Sequence, residues 1–206
     1  MFDKLVIYYF TGTGNALAVA NWISEISAIK KIHFEIKKIT PSLQVDNKDF
    51  AGNALIGFCY PTHGFNAPPV VIDFLLRFPK GTNPVFLLNT RAGMKISKLF
   101  MPGLSGLEQL FTVLILMLKG FTIAGLQPMD LPSNWISIHP GLRKKVVDSI
   151  FRRCEKITKK FAEKILTGEK VFKGLISLPI DLLISPISAA YYLLGRFALA
   201  KTFVAG

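Results

Sequence analysis

Tyr8-Tyr9-Phe10-Thr11-Gly12-Thr13-Gly14-Asn15-Ala16 is the stretch whose reading decides the fold. It leaves a run at 4–10 that is rich in β-branched and aromatic residues and apolar on both faces, the pattern of a buried parallel strand. It enters a segment, 15–29, in which Leu17, Ala20, Ile23 and Ile26 fall at helical spacing. Hydroxyls and glycines alternate between the two. A strand that turns into a helix through such a loop offers backbone N–H groups, two hydroxyls and a helix N-terminus to one anion. The third glycine of a dinucleotide fingerprint would fall at Leu17, and no Gly-Lys-Ser/Thr follows as in a Walker A loop. A single terminal phosphate is the ligand that the remaining pattern suits.

Outward from this stretch, strand and helix patterns alternate. Residues 33–39 alternate as a strand near an edge, and 54–60 are continuously apolar. A turn-rich loop, Pro61-Thr62-His63-Gly64-Phe65-Asn66-Ala67-Pro68-Pro69, leads into an amphipathic helix over about 70–78. A third buried strand at 83–88 ends in a polar loop, Asn89-Thr90-Arg91-Ala92-Gly93. A very apolar helix at 104–118, a fifth strand at 121–127 and a long connection at 128–141 follow. From 142 to 166 an apolar stripe (Leu142, Val146, Ile150, Cys154, Ile157, Phe161, Ile165) is flanked by lysines and arginines, the mark of a helix whose charged face meets water. These elements predict an α/β fold with a doubly wound five-stranded parallel sheet. Its ligand belongs at the carboxyl ends of the strands, where the loops after strands one, three and four meet.

Across 206 residues, half of them apolar, the chain can bury one real core. Residues 1–166 are expected to form that domain and 167–206 an apolar helical extension or linker. Lys and Arg number 25 against 13 Asp and Glu, a net charge of +12, which favours an acidic partner. Nucleic acid is disfavoured, because the basic residues are not interleaved with aromatics in a recognition motif. Cys59 and Cys154 are the only cysteines, and neither lies in a C-x-x-C pair or near a histidine at ligand spacing, so an iron–sulfur cluster or structural zinc is not expected. So few cysteines suggest a reducing, cytoplasmic setting, and the first residues carry no secretory pattern.

Thr11, Gly12, Thr13, Gly14 and Asn15 resemble the FMN phosphate loop of flavodoxins, Ser/Thr-x-Thr-Gly-x-Thr, with Ala16 in place of the final threonine. The chain is more closely similar to the flavodoxin-like halves of anaerobic flavodoxin–ferredoxin fusion proteins. That resemblance rests on residues 8–15, Pro61-Thr62-His63-Gly64, Thr90-Arg91-Ala92-Gly93, Pro102-Gly103, Leu131-Pro132-Ser133-Asn134-Trp135 and the ending Ala200-Lys201-Thr202-Phe203-Val204. In such fusions a cysteine-rich two-cluster segment follows that ending.

The resemblance implies a flavodoxin-like sheet of strand order 2-1-3-4-5 and an FMN-binding electron carrier that exchanges electrons with an acidic iron–sulfur or other redox partner, such as a ferredoxin. The phosphate would lie on Thr11, Gly12, Thr13, Gly14, Asn15 and Ala16. The ring would lie between Pro61, Thr62, His63, Gly64, Phe65 and Asn66 on one side and Asn89, Thr90, Arg91, Ala92 and Gly93 on the other. Phe65 is the aromatic placed to stack on the ring, or else to dock back on the domain. Arg91, in a loop without acidic residues, is the cation placed to raise the flavin potential. His33 and His139 are expected to be structural, and no catalytic acid, base or nucleophile is called for. Two other readings stay open: an NAD(P)H-dependent FMN or quinone reductase, and a membrane- or partner-binding module that has lost the flavin. The second is left open by Ala16 and by the missing cluster cysteines; residues 174–195, whose only charge is Asp181, form a separate apolar stretch. Pro179 and Pro186 are expected to divide that stretch into short helices or extended segments that pack on the domain, reach a ferredoxin unit or lie in a membrane surface.

Overall fold

The computed structural model describes residues 2–96, 99–106, 108–132 and 142–197. Ser133-Asn134-Trp135, His139 and the ending 200–204 lie outside these residues. In chain order the elements are β1 (Lys4–Tyr9), α1 (Asn15–Ile29), β2 (His33–Lys38), β3 (Ala54–Pro61), α2 (Pro69–Arg77), β4 (Pro84–Ile96) and β5 (Leu99–Met101). They continue with α3 (Glu108–Leu118), β6 (Thr122–Leu126), β7 (Met129–Pro132), α4 (Lys144–Leu166), β8 (Val171–Phe172) and α5 (Leu178–Phe197).

The sheet runs β2-β1-β3-β4-β6-β8, with every pair in this path parallel. The strands read from the sequence stand in the expected order, but the sheet has eight strands among the described residues rather than five. Two of the additions come from β4. It does not stop at residue 88 but continues through 89–93, where β7 pairs beside it, and on to an antiparallel contact with β5. β6 and β7 occupy one lane along β4, separated at Gln127-Pro128, where proline has no N–H for the ladder. β8 adds two residues beyond β6.

Side chains alternate across the pleat and build a core on each face. From β1, Leu5 and Ile7 point to one core, formed with α1 and α4, while Val6 and Tyr8 point to the other, formed with α2 and α3. Ile150, Cys154, Phe161 and Ile165 of the α4 stripe are buried. On the other face Tyr8, Phe58, Phe74 and Phe78 pack ring against ring, with Tyr8 and Phe78 edge-on at 5.2 Å. Gly57 is required by close packing, since a Cβ there would fall 2.2 Å from the Phe86 ring.

The C-terminal stretch is a 3-10 turn, Lys173–Ser177, followed by one twenty-residue helix rather than the expected short pieces. Pro179 sits at the second helical position, where no N–H is needed. Pro186 removes the N–H that would have bonded the Leu182 carbonyl, and the Ser185 hydroxyl donates to that carbonyl instead, at 2.7 Å.

Candidate functional site

Three chain segments reach the carboxyl edge of the sheet together. The first is the turn from β1 into α1. Gly14 takes φ +92°, a left-handed conformation that favours glycine, and its N–H donates to Thr11 Oγ1 at 2.9 Å. A Cβ at Gly12 or Gly14 would meet nothing within 4 Å, so the space over this loop is open. The helix geometry leaves the first-turn N–H groups of α1 without intrahelical acceptors. The Asn15 side chain donates to the Pro132 carbonyl at 3.2 Å and ties this loop to the end of β7.

The second segment follows β3. Thr62 N–H continues the ladder to the Thr90 carbonyl at 2.8 Å, and the chain then folds back in a tight hairpin. His63 and Asn66 exchange backbone hydrogen bonds of 2.7 and 3.0 Å across Gly64 (φ +54°) and Phe65 (φ +63°). Two left-handed central residues are what a type I′ hairpin turn demands, an unusual setting for an aromatic residue.

The third segment is Thr90–Ala92 of β4. Arg91 is buried, its Nε 2.6 Å from Asp130 Oδ1 on β7 and an Nη donating to Ser105 Oγ at 3.1 Å. The expectation of a loop without acidic residues is therefore corrected: these residues are strand, and Asp130, distant in sequence, pairs with the arginine. Behind them lies a polar cluster. Thr62 and Asn89 donate to Glu108 Oε2, the latter at 3.1 Å, and Gln109 donates to Asn89 Oδ1 at 2.6 Å. Glu108 is 1% exposed, its Oε1 has no partner among the described residues, and burial pushes its carboxyl up to about 8.

The three segments enclose a cavity of about 370 Å³. Of the expected residues, Thr11, Gly12, Thr13, Asn15, Pro61, Thr62, His63, Gly64, Thr90, Arg91 and Ala92 line it. Gly14, Ala16, Phe65, Asn66, Asn89 and Gly93 do not. The Ala16 methyl is fully buried in the α1 core, facing away from the loop. Gly93 is pressed against β7, where a Cβ would fall 2.4 Å from the Asp130 carbonyl. Phe65 is not part of the lining; its Cβ stands 2.7 Å from where a Gly106 Cβ would be.

Sequence reasoning missed Pro132 and Tyr191, which complete the lining, and Glu108 behind it. The ring of Tyr191, on α5, lies against Gly64, so that a Cβ at Gly64 would fall 1.9 Å from its Cε1. Glu108 was readable as the one charged residue in the apolar run 104–118. Polar residues of α5 fasten it here. Ser188 Oγ donates to the Phe65 carbonyl at 2.7 Å, and the Asn66 amide donates to the Ser188 carbonyl at 2.8 Å. Asp181 Oδ1 accepts the N–H groups of Ser105 and Gly106 at 3.1 and 2.9 Å.

No protein-family model matches the sequence, and no curated protein sequence matches it. Solved structures do match. A flavodoxin from Fusobacterium nucleatum, bound to flavin mononucleotide, superposes with a TM-score of 0.52 at 16% identity over 81% of this chain and 99% of its own. Oxidised Flavodoxin 1 from Bacillus cereus gives a TM-score of 0.51 at 14% identity over 78% of this chain and 97% of its own. At these identities the likeness speaks to architecture, and on it this chain has the flavodoxin-like fold.

Proposed function

We propose that the cavity binds FMN and that the protein is an electron carrier. The observation that carries this reading is the meeting, in one cavity, of the open hydroxyl-and-glycine loop at the start of α1 with the ends of β3 and β4. Fit at the phosphate end rests on the left-handed Gly14, the empty space over Gly12 and Gly14, and the helix N-terminus. Ala16 does not weaken that fit, because its side chain belongs to the core. A volume of about 370 Å³ lies within the ~300–1,000 Å³ of small-molecule sites.

In this reading Thr11, Thr13 and the first turn of α1 hold the phosphate, while residues 61–64 and 90–92 flank the ring. Tyr191 takes the stacking place first assigned to Phe65. Bound FMN supplies one- and two-electron chemistry. The Arg91–Asp130 pair fixes the 90–92 segment and presents a cation whose charge is largely balanced. The sequence resemblance to flavodoxin–ferredoxin fusions and the net charge of +12 support an acidic iron–sulfur protein, such as a ferredoxin, as partner in the cytoplasm. In this reading the cofactor-binding unit also takes in Tyr191, beyond residue 166.

Titration of the purified chain into FMN tests the reading: fluorescence should be quenched with one site per chain, and riboflavin, lacking the phosphate, should bind far more weakly. Colourless protein that leaves FMN fluorescence unquenched would end it. Steady-state NAD(P)H oxidation with quinone separates carrier from reductase, a carrier showing almost no turnover.

A further inference from the structure

Helix α5 is amphipathic in the reverse sense of a water-covered helix. Its carboxylate and its buried serine face the protein: Asp181 is 4% and Ser188 0% exposed, and both are consumed by hydrogen bonds to the site loops. Its outward stripe is aliphatic. Ile176, in the preceding turn, and Ile180, Leu183 and Ile187 recur at steps of four, three and four, and all are more than half exposed. Water would favour the opposite arrangement.

Next to this stripe lies a groove of about 1,080 Å³, to which Ile176 and Ile180 also belong. Its other wall is basic: Lys160 and Lys164 from α4, and Lys170 and Lys173 from the segment leading to α5, are exposed. Lys164 meets Glu169 at 3.0 Å, whereas Lys160, Lys170 and Lys173 enter no ion pair among the described residues. Asp130, the acid lining this groove, is engaged by Arg91.

We propose that the outward face of α5 and the adjoining basic groove dock on an anionic lipid surface, with α5 lying in the interfacial plane. An aliphatic stripe bordered by unpaired lysines matches acyl chains bordered by anionic headgroups. A second copy is a poorer occupant, because a two-fold contact through this stripe would set the lysine rows of both copies beside each other. Spanning is opposed by Asp181, although the segment Lys173–Tyr191 has the length and composition of a span. Its carboxylate is fixed on the N–H groups of Ser105 and Gly106, which holds the helix on the domain. This inference does not depend on what fills the cavity.

Flotation of the purified full chain with vesicles tests it. The chain should float with phosphatidylcholine vesicles containing phosphatidylglycerol, sink with phosphatidylcholine alone, and be released by salt and by alkaline carbonate. Lys170→Gln and Lys173→Gln should each weaken binding about fivefold. Leu183→Glu should abolish it without altering the circular dichroism melt, since Leu183 is 80% exposed. Failure to float with anionic vesicles would overturn the proposal, as would unchanged flotation of Leu183→Glu or retention after carbonate. A dimer lost in Leu183→Glu, with no vesicle binding by the original chain, would assign the face to a second copy instead.

Discussion

Glu108→Gln should flatten the dependence of folding stability on pH. Burial raises this carboxyl from 4.5 to about 8, against the opposing pull of the Thr62 and Asn89 hydrogen bonds. In the unfolded chain it ionises near 4.5, so between that pH and about 8 the folded protein holds a proton that the unfolded chain has released. The stability tied to this proton is complete below the unfolded value and is lost as pH rises to the folded one. One proton gives a slope of about 1.4 kcal/mol per pH unit, and the interval accumulates roughly 4–5 kcal/mol. Glutamine preserves an acceptor for Thr62 and Asn89 but cannot ionise. Urea unfolding followed by far-UV circular dichroism, in steps from about pH 5 to about pH 8, reads the effect. The difference between the two proteins should change by about 1.4 kcal/mol per unit in favour of the variant as pH rises. Every other titrating group is common to both and cancels. A difference independent of pH would refute the reasoning, showing that Glu108 is ionised throughout.

Gly64→Ala, which needs a left-handed alanine and drives Tyr191 from its place, should weaken FMN binding more than Tyr191→Ala does; fluorescence titration compares them. The latter alone should cost about 0.5–1.5 kcal/mol, the worth of one aromatic pair. Asp181→Ala leaves the N–H groups of Ser105 and Gly106 without their acceptor and should lower stability by about 1–3 kcal/mol, seen in the urea midpoint, with Asp181→Asn recovering part of it. Arg91→Gln removes the cation from Asp130, leaving the Gly103 N–H on its Oδ1, with an expected loss of about 3 kcal/mol in the same assay. In a flavin-loaded protein Arg91→Gln should also lower the midpoint potential, and an unchanged or higher value would remove Arg91 as a tuning residue.

The strand-loop-helix opening and both helical layers were legible because each is written in local periodicity, and the order of the principal strands followed from the flavodoxin resemblance. Residues 89–93 were not. Asn, Thr, Arg and Gly read as a loop, yet the Asn89 and Arg91 side chains are satisfied by Ser105 before α3, Glu108 and Gln109 on α3, and Asp130 on β7. Prolines misled in α5, where one stands at a tolerated position and the Ser185 hydroxyl compensates for the other. The choice of Phe65 over Tyr191 has the same origin. An aromatic beside the loop in sequence was preferred to one that reaches it only after the whole fold has closed.

The two-residue strand β8 has a consequence for any shortened form of this chain. It pairs only Gly125 and Leu126 of β6, and the 3-10 turn after it lies against the same strand. A chain cut at residue 166 would retain both core layers yet expose β6 as a bare edge, with Ile123 and Leu126 beside unpaired backbone groups. Such an edge is a template for another molecule's strand. The short form should therefore self-associate with rising concentration, making these few residues a guard against aggregation as well as the route by which Tyr191 reaches the cavity.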